Sequence, residues 1–547
     1  MIATASRSQL ALTVPALLAA SVDRHPDAEA LAAGNVRWTY AEWNRRINSV
    51  AAGLAGLGVR RYDRVALFTH TDEPMATLYF AAQRLGAIPV PMNFRLSAGE
   101  AAHIIADAGC RLLAYSSELA EVAAEALHRV GGSQRLVVVG SSDRVAPGDH
   151  SYDELLQADD EPDPSVPIVP EDVAALMYTS GTTGHAKGVV HTHGNDAMAA
   201  LNCALEYRLR PDDRALHICP LYHVGGMQAF FIPHLVVGAT NVLMARYRPE
   251  QALRAIDAQR VTTLFAVPGQ IVEMLSVLVD HELDISTLRL ITTGGAALPA
   301  PAMKQVLDRL CPQLYNGYGM TEASLTLLLH PEDVLTKLGS CGKPTLISQA
   351  RIVPRHADRE VLPTETVEPG AVGQLIVRGP QVAAGYWSDA TEQAARFRHG
   401  WVYTGDLFHR DADGYYWFDG RADELIVSGG ENIYPIEVEA TLRRCPGVRD
   451  VKVVGLPDAH WGRVVGAFIV RADDRLTDAE VERFCRESGD LAPFKRPRRI
   501  VFVADLPRSD SGKVLGRELL AGYLRAGEQD GARTADGLLI GTAKPHA

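Results

Sequence analysis

With 547 residues, of which 47% are hydrophobic and 22% charged, the chain has ordinary globular composition and more apolar material than a single core takes up, so more than one domain is expected. The formal net charge of −12 argues against a nucleic-acid binder, which needs a basic face for phosphates. No run approaches the roughly 18 apolar residues of a membrane span; the best, Phe230 to Gly238, is broken by Pro233 and His234.

Val14 to Val22 is apolar but lacks a basic lead-in, and Asp23, Arg24 and His25 follow at once, which predicts an early helix and not a signal peptide. From about Ala28 to Gly420, amphipathic stretches alternate with short apolar strands such as Asp63 to Phe68 and Arg135 to Gly140. That rhythm predicts an α/β fold of layered, largely parallel sheets and helices. Gly148 to Pro170, rich in Asp, Pro and Ser, reads as a surface connection into a strand at Val173 to Tyr178. A sharp turn near Asp419 to Asp423 marks a domain boundary, with residues 1–422 as a large N-terminal domain and 423–547 as a small mobile α+β domain. The small domain has strands at Val451 to Gly455, Val464 to Val470 and Ile500 to Val503, and a loose tail from about Gly527. The seven cysteines are scattered and include no Cys-x-x-Cys pair, which predicts free, mostly buried thiols in a reducing compartment, the cytoplasm.

The segment Tyr178-Thr-Ser-Gly-Thr-Thr-Gly-His-Ala-Lys-Gly188 follows an apolar strand. It packs four hydroxyls (Thr179, Ser180, Thr182, Thr183), three glycines (Gly181, Gly184, Gly188) and Lys187 into eleven positions. Such a loop lets backbone N–H groups and hydroxyls approach a polyphosphate while the lysine offsets its charge. The Walker spacing is absent. A flexible Gly/Ser/Thr surface loop is the bland alternative for any shorter match.

Here the chain resembles the adenylate-forming superfamily of acyl-CoA synthetases, peptide-synthetase adenylation domains and luciferases, over about Leu17 to Leu524. Six further motifs stand in the family's order: Pro220-Leu-Tyr-His-Val-Gly-Gly226, Thr293-Gly-Gly-Ala296, Asn316-Gly-Tyr-Gly-Met-Thr-Glu322, Tyr403-Thr-Gly-Asp406, Gly420 to Pro435, and Leu506-Pro-Arg-Ser-Asp-Ser-Gly-Lys513. The resemblance implies a ligase that turns a carboxylic acid and ATP into an acyl-adenylate and pyrophosphate, then passes the acyl group to CoA and releases AMP.

It also implies roles. Asn316, Gly317, Tyr318 and Gly319, with the turn from Gly294 through Gly295 and Ala296 to Ala297, would hold adenine, for which the Tyr318 ring offers a flat face. Asp406 and Arg421 would hold the ribose. Thr321 and Glu322 would meet the α-phosphate and Mg²⁺, a hard cation that keeps most of its waters. The attacking carboxylate is already ionised at neutral pH, so little is left for a general base. Positive charge at the transition state matters most, and Lys513 is the expected source. Asp423 matches the hinge of a mobile C-terminal domain.

Gly429 and Gly430 would let the pantetheine arm pass; Trp461, Phe494, Arg496 and Arg498 would take the CoA nucleotide. His223 matches a gate over the acyl site, with a structural histidine as the bland alternative. Val224, Gly225, Met227, Gly294 and Gly319 would line that site. Tyr222 to Ala245 contains no Asp or Glu, so an amino acid's ammonium group would be desolvated without compensation. An apolar acid follows; aromatic, alicyclic and medium-chain or fatty acids fit, with aromatic or arylalkanoic acids preferred. The rival readings are an enzyme that loads a carrier-protein phosphopantetheine and a non-catalytic nucleotide sensor. A homodimer is compatible with the chain.

Overall fold

The computed structural model describes residues 12–131, 135–140, 149–156, 166–179, 186–278, 283–296, 298–356, 359–428, 431–458, 461–488, 491–509 and 514–529. The chain divides into two compact units, Met1–Arg351 with Ile376–Tyr403, and Ile352–Leu375 with Thr404–Ala547. This division of packing falls earlier than residue 423. The reason is local: Asp406 to Arg410 pair antiparallel with Tyr416 to Arg421, and Gly370 donates to the Arg410 carbonyl, so the hairpin and the 352–375 segment stay together.

In the first unit, a nine-stranded sheet runs, among the described residues, in the order Lys343–Pro344, Ser324–Leu329, Leu314–Met320, Leu290–Thr293, Thr263–Phe265, Arg214–His217, Thr240–Leu243, Glu29–Ala33, Val36–Thr39. Its six inner strands, Leu314–Met320 through Glu29–Ala33, are parallel. A second, all-parallel sheet holds Ile88–Pro91, Arg64–Phe68, Leu112–Ser116, Arg135–Val139 and His150–Ser151. A third, antiparallel sheet joins Val173–Thr179, Lys187–Thr192 and Gly385–Tyr386.

Helices begin where the sequence supplies caps. Thr39 and Glu42 form a reciprocal capping box at the head of Tyr40–Gly56, as Ser97 and Glu100 do for Ala98–Ala108. The buried face of Tyr40–Gly56 sets Trp43 edge-on to Phe80 at 5.5 Å, with the indole N–H donating to Thr77 Oγ1 at 2.9 Å. Each such side chain stabilises the fold by about 1.5–3 kcal/mol through burial alone.

The second unit carries a sheet ordered Glu431–Ile433, Ile426–Ser428, Gly462–Arg471, Val448–Asp458, with Arg499–Val503 parallel beside Gly462–Arg471. The expected strands are present and the central ones run longer. Helix Gly516–Gln529 runs into the start of the tail expected from about Gly527, and the rest of that tail lies outside the described residues. Leu519, Leu520 and Tyr523 bury into the cluster around Phe468, and that packing holds the helix.

No disulfide joins any of the seven cysteines, and all but Cys341 are buried. No helix among the described residues is long and apolar enough to cross a membrane.

His193, His217 and His234 are among the fully enclosed histidines of the first unit. Burial depresses His217 to about 3, and His193 and His234 to about 4. In the unfolded chain each titrates near 6.5, so between these values the unfolded chain binds more protons. Stability should therefore fall as pH drops below about 6.5, by up to roughly 1.4 kcal/mol per pH unit for each histidine. Thermal unfolding at pH 7 and pH 5.5 checks this: Asp72, which desolvation pushes up to about 7, acts in the opposite sense over that window but offsets only part of the effect of three histidines, so equal melting temperatures would contradict it.

Candidate active site

Strands Val173–Thr179 and Lys187–Thr192 pair in a register that sets Thr179 directly opposite Lys187. Ser180, Gly181, Thr182, Thr183 and Gly184 lie outside the described residues. Both flanks of that segment are anchored by helix Ala98–Ala108. The Tyr178 hydroxyl donates to Asp107 Oδ2 at 2.6 Å, and His103 Nε2 lies 3.0 Å from the Ala186 carbonyl.

Lys187 is 8% exposed. Its ammonium group meets Glu392 at 2.9 Å and Asp389 at 3.3 Å, and Glu392 also pairs with Arg396 at 2.7 Å. Burial raises Glu392, but Arg396 and Lys187 outweigh it and hold the carboxyl below its ordinary value. These acids were not anticipated from the sequence. The available signal was Asp389 as the side-chain cap of Ala390–Arg396, with Glu392 and Arg396 one turn apart.

The expected adenine ligands fall on adjacent strands. Thr293 pairs with Asn316 in parallel register, so the Thr293 to Ala296 turn lies beside the Asn316 to Gly319 strand. A Cβ on Gly294 would meet the Gly317 carbonyl at 2.7 Å, so glycine is needed for the two backbones to touch. Gly294 is buried in that packing, while Gly295, Ala296 and Gly319 are exposed and Tyr318 is half-buried. The Asn316 amide donates to the Ser340 carbonyl at 2.7 Å. Ala297 lies outside the described residues.

Thr321 and Glu322 occupy the turn between Leu314–Met320 and Ser324–Leu329, closed by Ala323 N–H donating to the Met320 carbonyl. Glu322 is 8% exposed, and its Oε1 accepts the hydroxyl of Tyr386. Burial and the adjacent carboxylate push the Tyr386 phenol far above its ordinary range, which keeps it a neutral donor. Among the described residues no group of three or more His, Cys, Asp or Glu could cage a metal ion. A single fixed carboxylate beside phosphates nevertheless fits Mg²⁺, which keeps several waters and is bound through one or two carboxylates plus substrate oxygens.

His223 begins an irregular turn: Met227 N–H donates to its carbonyl at 3.0 Å, and the i→i+5 bond from Phe231 N–H to the Gly226 carbonyl makes Met227–Phe231 a π-helical turn, a feature common at functional sites. The His223 ring lies 4.6 Å from that of Tyr222. Val224 and Gly225 are half-exposed. A Cβ on Gly225 would come within 2.9 Å of the Phe265 ring, so that ring packs directly against the glycine. Met227, expected in the acyl lining, is fully buried in the core with Tyr79 and Phe231.

In the second unit, Asp406 and Arg421 are register partners, with Arg421 Nε 3.5 Å from Asp406 Oδ1. Arg421 also reaches Asp423 at 3.4 Å, and Arg517 meets the other Asp423 oxygen at 3.4 Å. Trp461 and Arg498 come together, the guanidinium lying 4.8 Å over the indole. Phe494 is exposed, whereas Arg496 Nε donates to the Leu491 carbonyl. Gly429, Gly430 and Lys513 lie outside the described residues. The strand partners Ser428 and Glu431 flank the two glycines, and the bridge of Arg508 with Val514 flanks Lys513.

Residues 18–387 match the AMP-binding enzyme family. The chain belongs to that family. Its residues 437–513 match the family's C-terminal domain. A feruloyl-CoA synthase of Amycolatopsis sp is 38% identical over 500 residues, covering 90% of this chain and 96% of its own. An indoleacetate–CoA ligase of Aromatoleum aromaticum is 35% identical over 500 residues, covering 90% and 95%. An anthranilate CoA ligase solved with anthranoyl-AMP superposes with a TM-score of 0.84 at 28% identity, covering 94% of this chain and 98% of its own. The protein is an AMP-forming acid–thiol ligase that activates a carboxylic acid with ATP and transfers it to CoA.

Proposed function

We propose that the ligase acts on aromatic or arylalkanoic acids. The observation that carries this is the half-exposed Val224–Gly225 segment under the Phe265 ring, in a stretch from Tyr222 to Ala245 without a single acidic side chain. Gly225, lacking a Cβ, lets the Phe265 ring close over this segment, against which an aryl ring can pack, and an ammonium group would find no counter-charge. The names of relatives that act on feruloyl, indoleacetate and anthraniloyl groups support the same class.

In the first step, a carboxylate oxygen of the acid attacks the α-phosphorus of ATP and the bond to the bridging oxygen of pyrophosphate breaks. Thr179, Lys187 and the intervening loop hold the polyphosphate; Tyr318 and the Gly295–Ala296 turn hold adenine; Asp406 and Arg421 hold the ribose. Glu322 would hold Mg²⁺, which would neutralise charge on the phosphate oxygens, and Lys513 supplies positive charge at the reacting phosphate. In the second step the CoA sulfur attacks the acyl carbonyl and AMP leaves, with His223 moving aside for the thiol and Trp461 and Arg498 taking the CoA nucleotide.

Asp423 serves as the hinge between these steps. Asp423→Pro should impair thioester formation more than adenylation, because the ring fixes φ where the chain must rotate. Single-turnover measurement of both half-reactions checks this, and equal losses would count against the hinge.

The substrate test is pyrophosphate release with ATP, Mg²⁺ and a panel of aromatic, arylalkanoic and fatty acids, with and without CoA. Highest kcat/KM on aryl acids, with turnover dependent on CoA, is the expected result. Preference for fatty acids would overturn the assignment. CoA-independent adenylate accumulation would favour carrier-protein loading.

A further inference from the structure

The first unit contains a partly buried ionic cluster around Lys187 whose acidic members and arginine the reaction scheme above does not use. Lys187, whose side chain is 9% exposed, directs its ammonium to Asp389 and Glu392, and Glu392 simultaneously receives Arg396 at 2.7 Å. Two cations and two carboxylates balance, so the cluster adds no net charge with which to attract a nucleotide. Its effect is geometric. A lysine ammonium has three donors on a flexible stem, and in this arrangement two face carboxylates while one is left, among the described residues, for a phosphate oxygen.

The cluster is held in place at several points. Asp389 caps its own helix by accepting from Glu392 N–H at 2.9 Å, and that hydrogen bond, with Lys187, keeps the Asp389 carboxyl below its ordinary value. Tyr386 N–H donates to Gln393 Oε1 at 2.8 Å, fixing the helix to the strand that pairs with Lys187–Thr192. Arg396 lies within electrostatic reach of Tyr386 and Glu322. The segment 385–396 thus touches both the lysine and the carboxylate at the two ends of the proposed phosphate site.

We propose that Glu392, assisted by Asp389, is a positioning residue for ATP: it holds the Lys187 ammonium in one direction so that its remaining donor meets the polyphosphate already oriented. The inference rests on the reading of Lys187 as a phosphate ligand. Glu392 does not touch substrate and acts only through Lys187. Without it, the lysine must be ordered by the nucleotide itself, at a cost in rotamer entropy.

The test is a double-mutant cycle read in the adenylation half-reaction by pyrophosphate release. Glu392→Ala should raise the KM for ATP by roughly tenfold, leave the KM for the acid unchanged, and leave thioester formation from supplied acyl-adenylate intact. Glu392→Asp should recover part of the loss, and Asp389→Asn should give a smaller rise of the same kind. In a Lys187→Ala background the Glu392→Ala effect should vanish, since nothing remains to position.

If Lys187→Ala raises the KM for ATP but the Glu392 variants do not, the positioning role is wrong while the phosphate reading stands. If Glu392→Ala lowers the KM for ATP, the acids compete with the nucleotide and the proposal is reversed. An unaffected Lys187→Ala variant removes the phosphate reading itself. Should Glu392→Ala fail to fold, Glu392→Gln, which keeps the shape and one acceptor, carries the same comparison.

Discussion

Lys513→Ala is expected to slow acyl-adenylate formation by about 10²–10³-fold, the range for removing one fixed group that stabilises transition-state charge, while leaving thioester formation from supplied acyl-adenylate nearly unchanged. The asymmetry follows from the chemistry of the two steps. Attack on the α-phosphorus builds negative charge on oxygens that a preorganised ammonium can meet. Attack of a thiol on an already activated carbonyl has no such demand at the same place. Single-turnover assays with ATP plus acid, and separately with synthetic adenylate plus CoA, read the two steps apart. Equal losses in both would mean that Lys513 supports the fold of its segment, near the Arg508–Val514 bridge, and does not act in the first step.

Glu322→Gln is the second large effect. The carboxylate is buried and accepts the Tyr386 hydroxyl. Glutamine keeps the volume and an acceptor for that hydroxyl, so packing is conserved and only the charge is lost. Adenylation kcat/KM should fall about 10²-fold, equivalent to about 2.7 kcal/mol of transition-state stabilisation, and the Mg²⁺ concentration needed for half-maximal rate should rise. Thermal stability should stay near that of the parent. A variant with unchanged Mg²⁺ dependence would remove Glu322 from the metal's coordination shell. Tyr386→Phe, which deletes only the hydroxyl, should give a milder loss in the same direction, because the carboxylate keeps its charge and loses its orientation.

Asp423→Pro and the Glu392 cycle address different links in the chain of events. The first perturbs motion between half-reactions, the second the ordering of one side chain before either begins. Neither depends on the identity of the acid, so both remain informative whatever the substrate panel returns.

The amino-acid sequence by itself determined the alternation of strands and helices, the helix starts and the residues of the nucleotide motifs. These are local properties: strand periodicity, capping by Thr39 with Glu42 or Ser97 with Glu100, and glycine where backbones approach. The motifs were legible because a phosphate loop needs hydroxyls, glycines and a lysine close together in the chain.

Only the tertiary structure decided what depends on residues far apart. Lys187 meets Asp389 and Glu392 some two hundred positions later, Glu322 meets Tyr386, and Met227, which looked like pocket lining, sits in the core. The last helix, Gly516–Gln529, is held by packing of Leu519, Leu520 and Tyr523 in the cluster around Phe468, a contact between segments some fifty residues apart. Charge pairing and burial are set by which surfaces the fold brings into contact. A lysine's partners are therefore invisible in the eleven residues around it, although those residues name the chemistry it serves.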